Sequence, residues 1–179
     1  MNQIQTAWQL AERLHHDQRY YPGNRPEPVP YLYHLGAVFI EAVAAAGDLA
    51  EPARTELLLT AILHDTLEDT PVTETYLAEQ FGPAVLLNVR ALSKREDLPK
   101  ADRMPDSLER ILTCGPVCAM VKLCDRIANI SQPAPAEWDA ARRLAYLAES
   151  RMILERLGAA SPGLAARLGE KILAYSVGL

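Results

Sequence analysis

The sequence predicts an all-α bundle of about eight to ten helices, and three observations carry that expectation. Apolar residues recur three and four apart rather than two apart, as in Ile4, Trp8, Ala11 and His15. No stretch sustains a two-residue alternation, and no Asn-Gly or Asp-Gly pair marks a hairpin turn. Helix-opening and helix-ending residues punctuate the chain at intervals of about one helix.

The first helix is expected over 3–17, with His15 continuing its buried stripe. Pro22, Gly23, Pro26, Pro28 and Pro30 then make residues 18–30 an irregular loop. A second helix begins near Tyr33 and stops at Gly47. A third runs from about Pro52, a good first-turn residue, to Leu67. Thr73 can cap a short helix ending at Phe81-Gly82, and Pro83 opens the next, through about Leu92. Residues 93–104 are charged and loop-like. Helices at 105–113 and 116–131 follow, Pro133 and Pro135 interrupt, and two more cover 136–157 and 161–176. The last, with Ile172, Leu173 and Tyr175, either finishes the core or forms a homodimer contact.

At 179 residues the chain reads as one domain, 1–179, long enough to bury a core without disulfides. Hydrophobic residues at 49% and charged residues at 23% exclude a disordered chain. A net charge of −5 argues against nucleic acid or a membrane surface as partner, because tracking phosphates needs clustered Lys and Arg. No apolar run approaches the ~20 residues of a membrane span, and Met1-Asn2-Gln3-Ile4-Gln5 has no signal-peptide pattern. A cytoplasmic location is expected. Cys114, Cys118 and Cys124 are odd in number and on apolar segments, and Cys114 and Cys118 lack CxxC spacing, so all three read as reduced core cysteines.

The chemistry concentrates in Ala61-Ile62-Leu63-His64-Asp65-Thr66-Leu67-Glu68-Asp69-Thr70. Four polar groups stand there behind Leu57-Leu58-Leu59, in a run too apolar for a surface face. Burying an unpartnered charge costs several kcal/mol, so these groups need a cation or a dense set of hydrogen bonds. Asp65, Glu68 and Asp69, at i, i+3 and i+4, share one side of a helix. Solvated acids at a helix C-terminus would oppose the macrodipole, which disfavours the bland reading. A second stripe, Lys122, Asp125 and Asn129, marks either a buried salt-bridge network or a cavity wall. A third candidate is His34 in Pro30-Tyr31-Leu32-Tyr33-His34, which alone reads as a capping or surface residue. Together, His34, His64, Asp65 and Asp125 form a nitrogen and oxygen ligand set for Mn²⁺, Fe²⁺, Zn²⁺ or another divalent ion.

With these residues in hand, the chain resembles the HD-domain metal phosphohydrolases. Pro-Tyr-x-x-His, Leu-His-Asp-Thr-x-Glu-Asp-Thr and Val-Lys-Leu-x-Asp-Arg-x-x-Asn are similar to the hydrolase domain of RelA/SpoT proteins, and most of all to the stand-alone small alarmone hydrolases. The resemblance spans roughly residues 5–157 and implies an HD-domain helical bundle around one Mn²⁺. It implies removal of the 3′-pyrophosphate from guanosine tetra- or pentaphosphate (ppGpp or pppGpp), without a synthetase domain. Residue by residue, His34, His64, Asp65 and Asp125 hold the metal, while Glu68 and Asp69 orient and deprotonate the attacking water. Asn129 faces ribose and phosphates. Lys100, Arg142 and Tyr146 match pocket positions, with Lys100 and Arg142 meeting the charge of the departing pyrophosphate. Lys122 supports Asp125.

One segment departs from the family. After His15-His16-Asp17-Gln18 the chain carries Arg19-Tyr20-Tyr21, where the family has basic residues that contact guanine, and the loop to Pro30 is longer. Arg19 and Tyr20 are the substrate-contacting candidates there, and Arg25 of the longer loop is within reach. Tyrosines stack on any base, whereas a guanidinium also supplies directional donors. Two other readings therefore stand beside alarmone hydrolysis. One is an HD phosphohydrolase for another nucleotide, a dinucleotide phosphate such as NADPH among them. The other is a non-catalytic nucleotide-binding module, which the filled ligand positions oppose.

Overall fold

In a computed structural model, which describes residues 2–23 and 27–177, the chain is helical almost throughout. Arg25 lies outside the described residues. Helix α1 (Gln3–Leu14) opens on a capping box: the Asn2 side chain accepts from the Gln5 backbone N–H, and the Gln5 side chain accepts from that of Asn2. It buries Ala7, Leu10 and Ala11, and His15 ends it at 1% exposure, so the apolar stripe does extend through the histidine.

The segment expected to be an irregular loop holds a small antiparallel ribbon. Strand β1 (Arg19–Tyr20) pairs with β2 (Val29–Pro30), Arg19 opposite Pro30 and Tyr20 opposite Val29. Two residues per strand are too few to show a two-residue period in sequence. Helix α2 (Leu32–Ala45) follows, burying His34, Leu35, Val38 and Ala42, and a 3₁₀ turn closes it.

Helix α3 (Ala53–Leu63) stops short of the expected Leu67. The chain breaks at His64-Asp65 and resumes as the single turn α4 (Thr66–Asp69), with Thr66 Oγ1 donating to the Leu63 carbonyl 2.7 Å away. Helix α5 (Glu74–Phe81) is capped by Thr73, whose side chain accepts from the Tyr76 N–H. Gly82, at φ +87°, takes the left-handed turn that Pro83 then converts into α6 (Pro83–Leu92).

Helix α7 (Lys100–Cys114) begins before the expected 105 and carries Pro105 inside it. A proline there forfeits a helix hydrogen bond at a cost of roughly 3 kcal/mol. Fully burying a large apolar side chain is worth about 1.5–3 kcal/mol, so Met104, Leu108 and Ile111 together outweigh that loss. Helix α8 (Pro116–Ile130) is buried around nearly its whole circumference, including Lys122, Asp125 and Arg126. Helix α9 (Ala140–Leu157) starts later than 136, where Asp139 accepts from the Arg142 N–H. Helix α10 (Pro162–Val177) completes the core through Leu164, Leu168 and Ile172 while Leu173 and Val177 stay exposed.

Helix α8 is the axis of the bundle, with α2, α3, α6, α7, α9 and α10 packed on it. Leu123 and Ile127 face its larger core, and a smaller core joins α1, α2, α3, α5 and α6. Cys118 and Cys124 are buried as expected, but Cys114 is exposed, because it falls on the last turn of α7, where the chain leaves the core. No helix among the described residues is long and apolar enough to cross a membrane.

Candidate active site

The mutual packing of α2, α3 and α8 brings three distant residues to one point. His34 lies in the first turn of α2, His64 just past the end of α3, and Asp125 in α8. Their donor atoms face one another: His34 Nε2 and His64 Nε2 are 3.3 Å apart, and Asp125 Oδ1 is 3.6 and 4.0 Å from them. Two ligands about 2.1 Å from one cation stand about 3.0–3.5 Å apart at octahedral or tetrahedral angles. The three side chains are buried and grouped so that they can hold a metal ion. Asp65 Oδ2 sits beside that group, 2.8 Å from His64 Nε2 and 3.4 Å from His34 Nε2.

The surroundings fit a cation in two further respects. His64 Nδ1 lies 2.9 Å from the Ala61 carbonyl, a bond that puts its proton on Nδ1 and leaves Nε2 free to ligate. The cavity over the cluster, about 410 Å³, is lined by Asp65, Glu68, Asp69, Asp125 and Glu149 against Lys94, Lys122 and Arg126. Five carboxylates thus stand against three lysine and arginine side chains, an acidic balance that favours a cation.

The electrostatics of the bare side chains agree. Burial opposes charge on His64, but Asp65 and Asp125 outweigh it, and its pKa is pushed up to about 9. Burial likewise opposes ionisation of Asp65 and Asp125; the charges of His64 (for Asp65) and Lys122 (for Asp125) prevail and hold both well below the usual carboxylate range. A proton on His64 thus offsets part of the negative charge of its carboxylate neighbours. Asp69 moves the opposite way, up to about 6, through burial and the neighbouring charges of Asp65 and Glu68.

A ring of partners orients these groups. Lys122 Nζ donates to Asp125 Oδ2 at 2.7 Å, and Asn129 Nδ2 donates to Asp125 Oδ1 at 2.6 Å, so the polar stripe of α8 is both a buried network and a cavity wall. Tyr31 Oη donates to Asp65 Oδ2 at 2.6 Å, its ring stacked on His15 at 4.9 Å. His15 Nδ1 meets Gln18 Oε1 at 2.7 Å, and Gln18 Nε2 donates to the Asp69 carbonyl at 2.7 Å, which ties the start of the ribbon to α4. Tyr20 stacks on His34 with ring centres 5.3 Å apart and donates to Asn129 Oδ1 at 3.3 Å.

The break after α3 changes the expected geometry of the acids. Asp65, Glu68 and Asp69 do not share one face of a continuous helix. Asp65 turns to the histidines, while Glu68 Oε2 accepts from the Lys94 backbone N–H at 2.8 Å. Both Glu68 and Asp69 still line the cavity, as do Asn129, Tyr146 and Tyr20. Arg142, expected to meet the substrate, does not line the cavity; it is exposed, with its guanidinium 4.5 Å from the centre of the Trp138 ring. Two further expected contacts are not assembled. Arg19 turns outward to the carbonyls of His16 and Gln18, and Lys100, at the start of α7, does not line the cavity.

Sequence reasoning left Tyr31, Lys94, Arg126 and Trp138 without roles. Tyr31 had a usable signal, one helical turn before His34 in the same motif. Arg126 had one as well, inside the quoted Val-Lys-Leu-x-Asp-Arg motif. Lys94 had none, since charged residues follow many helices and most face solvent.

No protein-family model matches the chain. Curated relatives do. A zebrafish (Danio rerio) guanosine-3′,5′-bis(diphosphate) 3′-pyrophosphohydrolase MESH1 is 28% identical over 95% of this chain and 92% of its own length. The Xenopus tropicalis MESH1 is 31% identical over 80% of this chain and 78% of its own. Among solved structures, a metazoan ortholog of SpoT described as hydrolysing ppGpp superposes with a TM-score of 0.83 at 24% identity, covering 97% of this chain and 96% of that one.

Proposed function

We propose that this chain, which belongs to the family of MESH1 guanosine-3′,5′-bis(diphosphate) 3′-pyrophosphohydrolases, removes the 3′-pyrophosphate of guanosine 3′,5′-bis(diphosphate) and of its pentaphosphate form. The products are GDP or GTP and pyrophosphate. The observation that carries the reading is the convergence of His34 Nε2, His64 Nε2 and Asp125 Oδ1 beneath Glu68 and Asp69 in one acidic cavity.

In this reading His34, His64, Asp65 and Asp125 hold one divalent ion, Mn²⁺, with Zn²⁺ and Fe²⁺ as the other ions the donor set suits. Bound there, the ion supplies Lewis acidity, making a water a stronger nucleophile and drawing charge from a phosphoryl oxygen. Glu68 orients that water and takes its proton as the water oxygen bonds to the phosphorus on the ribose 3′-oxygen. The bond from that phosphorus to the 3′-oxygen breaks, and the oxygen takes up a proton to become the free hydroxyl. Asp69, with its carboxyl raised to about 6, suits proton traffic near neutral pH. Asn129 and Tyr146 face the ribose and phosphates. The same reading takes residues 1–179 as one domain acting in the cytoplasm on a small nucleotide.

The test is pyrophosphate release from guanosine tetraphosphate by Mn²⁺-loaded protein, with the adenosine analogue alongside. Release that Glu68→Ala abolishes is expected. No release by protein shown to hold its metal would overturn the alarmone reading.

A further inference from the structure

We propose that Lys94 is a catalytic residue of this site, meeting the substrate's 3′-pyrophosphate with its ammonium while its backbone holds Glu68. The proposal rests on the pyrophosphohydrolase reading and assigns the phosphate-contacting cation within it. The sequence pointed to Lys100 for that role, but Lys100 does not line the cavity and Lys94 does.

Three cations line the cavity among the described residues, and two are committed elsewhere. Lys122 is 7% exposed and spends its ammonium on Asp125 at 2.7 Å. Arg126 is 5% exposed; it pairs with Glu149, donates to Ser150 Oγ at 3.3 Å, and lies 4.5 Å over the Tyr146 ring. Lys94 differs. Its side chain is 40% exposed, and its Nζ stands 3.7 Å from Glu68 Oε1, close enough for attraction and too far for a hydrogen bond. Its three donors are therefore open to an anion entering the cavity.

The position is built rather than incidental. Lys94 follows the end of α6, where the carbonyls of the last turn need partners. Arg110 supplies them from α7, donating to the carbonyls of Arg90 at 2.6 Å, Ala91 at 3.0 Å and Ser93 at 2.9 Å. Asp106 fixes that guanidinium through Nε at 2.8 Å. The turn is thereby locked, and the Lys94 N–H reaches Glu68 Oε2 at 2.8 Å. One residue thus aims the carboxylate proposed to take the proton and presents a cation beside it. A cation carried on that locked turn stands where charge builds on the phosphoryl oxygens.

Separating contact from mere positioning of Glu68 requires a background in which Glu68 no longer acts. Nucleotide binding is measured with Glu68→Gln protein, metal-loaded, using intact guanosine tetraphosphate, with and without Lys94→Met. Direct contact predicts binding weakened about tenfold or more by Lys94→Met, with Lys94→Arg recovering most of it. In the otherwise wild-type protein, Lys94→Met is expected to lower kcat about 100-fold. Arg95→Met, on an exposed neighbour paired with Asp97, should leave binding unaltered. Binding to Glu68→Gln protein that Lys94→Met leaves unchanged overturns the inference while the hydrolase reading stands. No binding there, together with no pyrophosphate release by the wild type, overturns both.

Discussion

Replacing Tyr31 by phenylalanine removes one hydroxyl and leaves the ring that stacks on His15 at 4.9 Å. The hydroxyl donates to Asp65 Oδ2 over 2.6 Å, and that oxygen also faces His64 Nε2 at 2.8 Å. Hydrogen bonds to a charged acceptor contribute about 1.5–3 kcal/mol, an upper bound here because the Asp65 side chain is 21% exposed and water can replace part of the loss. Without metal, the fold should lose only about 1 kcal/mol. Metal binding should suffer more, because the oxygen that Tyr31 orients is the one through which Asp65 is proposed to ligate. Loss of such an orienting partner typically costs 10–100-fold in affinity, or about 1.4–2.7 kcal/mol, which agrees with the hydrogen-bond figure. The assay is Mn²⁺ titration against a competing chelator, paired with urea unfolding of the metal-free protein. Affinity equal to wild type would refute the role given to Tyr31. Equal losses in affinity and in metal-free stability would show general damage instead.

Three other outcomes follow from the same geometry. In the metal-free protein the His64 pKa is raised to about 9 from its ordinary 6.5, so its stabilising contribution is complete below about 6.5 and is lost as pH rises through 9. A metal held by His64 would displace that proton, so affinity should climb about tenfold per pH unit towards 9 and then level, and a flat profile in chelator titrations would contradict it. Lys122→Met leaves the buried Asp125 carboxylate without its 2.7 Å partner and should cost about 3–5 kcal/mol in urea unfolding without metal, but less when a cation occupies the cluster. Equal losses in both states would argue against Asp125 as a ligand. Gly23→Ala would place a Cβ 2.0 Å from the Pro133 carbonyl oxygen, forcing apart two walls of the cavity, and should raise KM for the nucleotide while leaving Mn²⁺ affinity unchanged.

The helices were largely legible because their signals are local. Asn2 and Gln5 close a capping box within one turn, Thr73 caps α5, and Gly82-Pro83 separates α5 from α6. Where α7 begins was not legible, since Pro105 reads as a boundary until the burial of Met104 and Leu108 is counted. His64 stood out in sequence because apolar surroundings make such a group anomalous, His34 and Asp125 joined it through the resembled motifs, and the structure brings all three together. Charged residues on ordinary turns carry no such anomaly. Lys94 and Lys100 look equivalent in sequence, yet one lines the cavity and the other does not.

The sequence by itself determined the helical class, the cap and turn positions, and the identity of the donors that converge beneath the cavity. These follow from the helical period, from φ preferences at Gly and Pro, from the cost of burying polar groups and, for His34, from the motif it shares with the resembled family. Tertiary structure decided which charges face the cavity and which way the acids turn. The break at His64-Asp65 sends Asp65 to the histidines and Glu68 to Lys94, and Tyr20 lies against His34 while Arg19 turns away. The reason is physical: local signals act over one turn of helix, whereas a side chain's direction at a helix end is set by neighbours brought there by packing across the bundle.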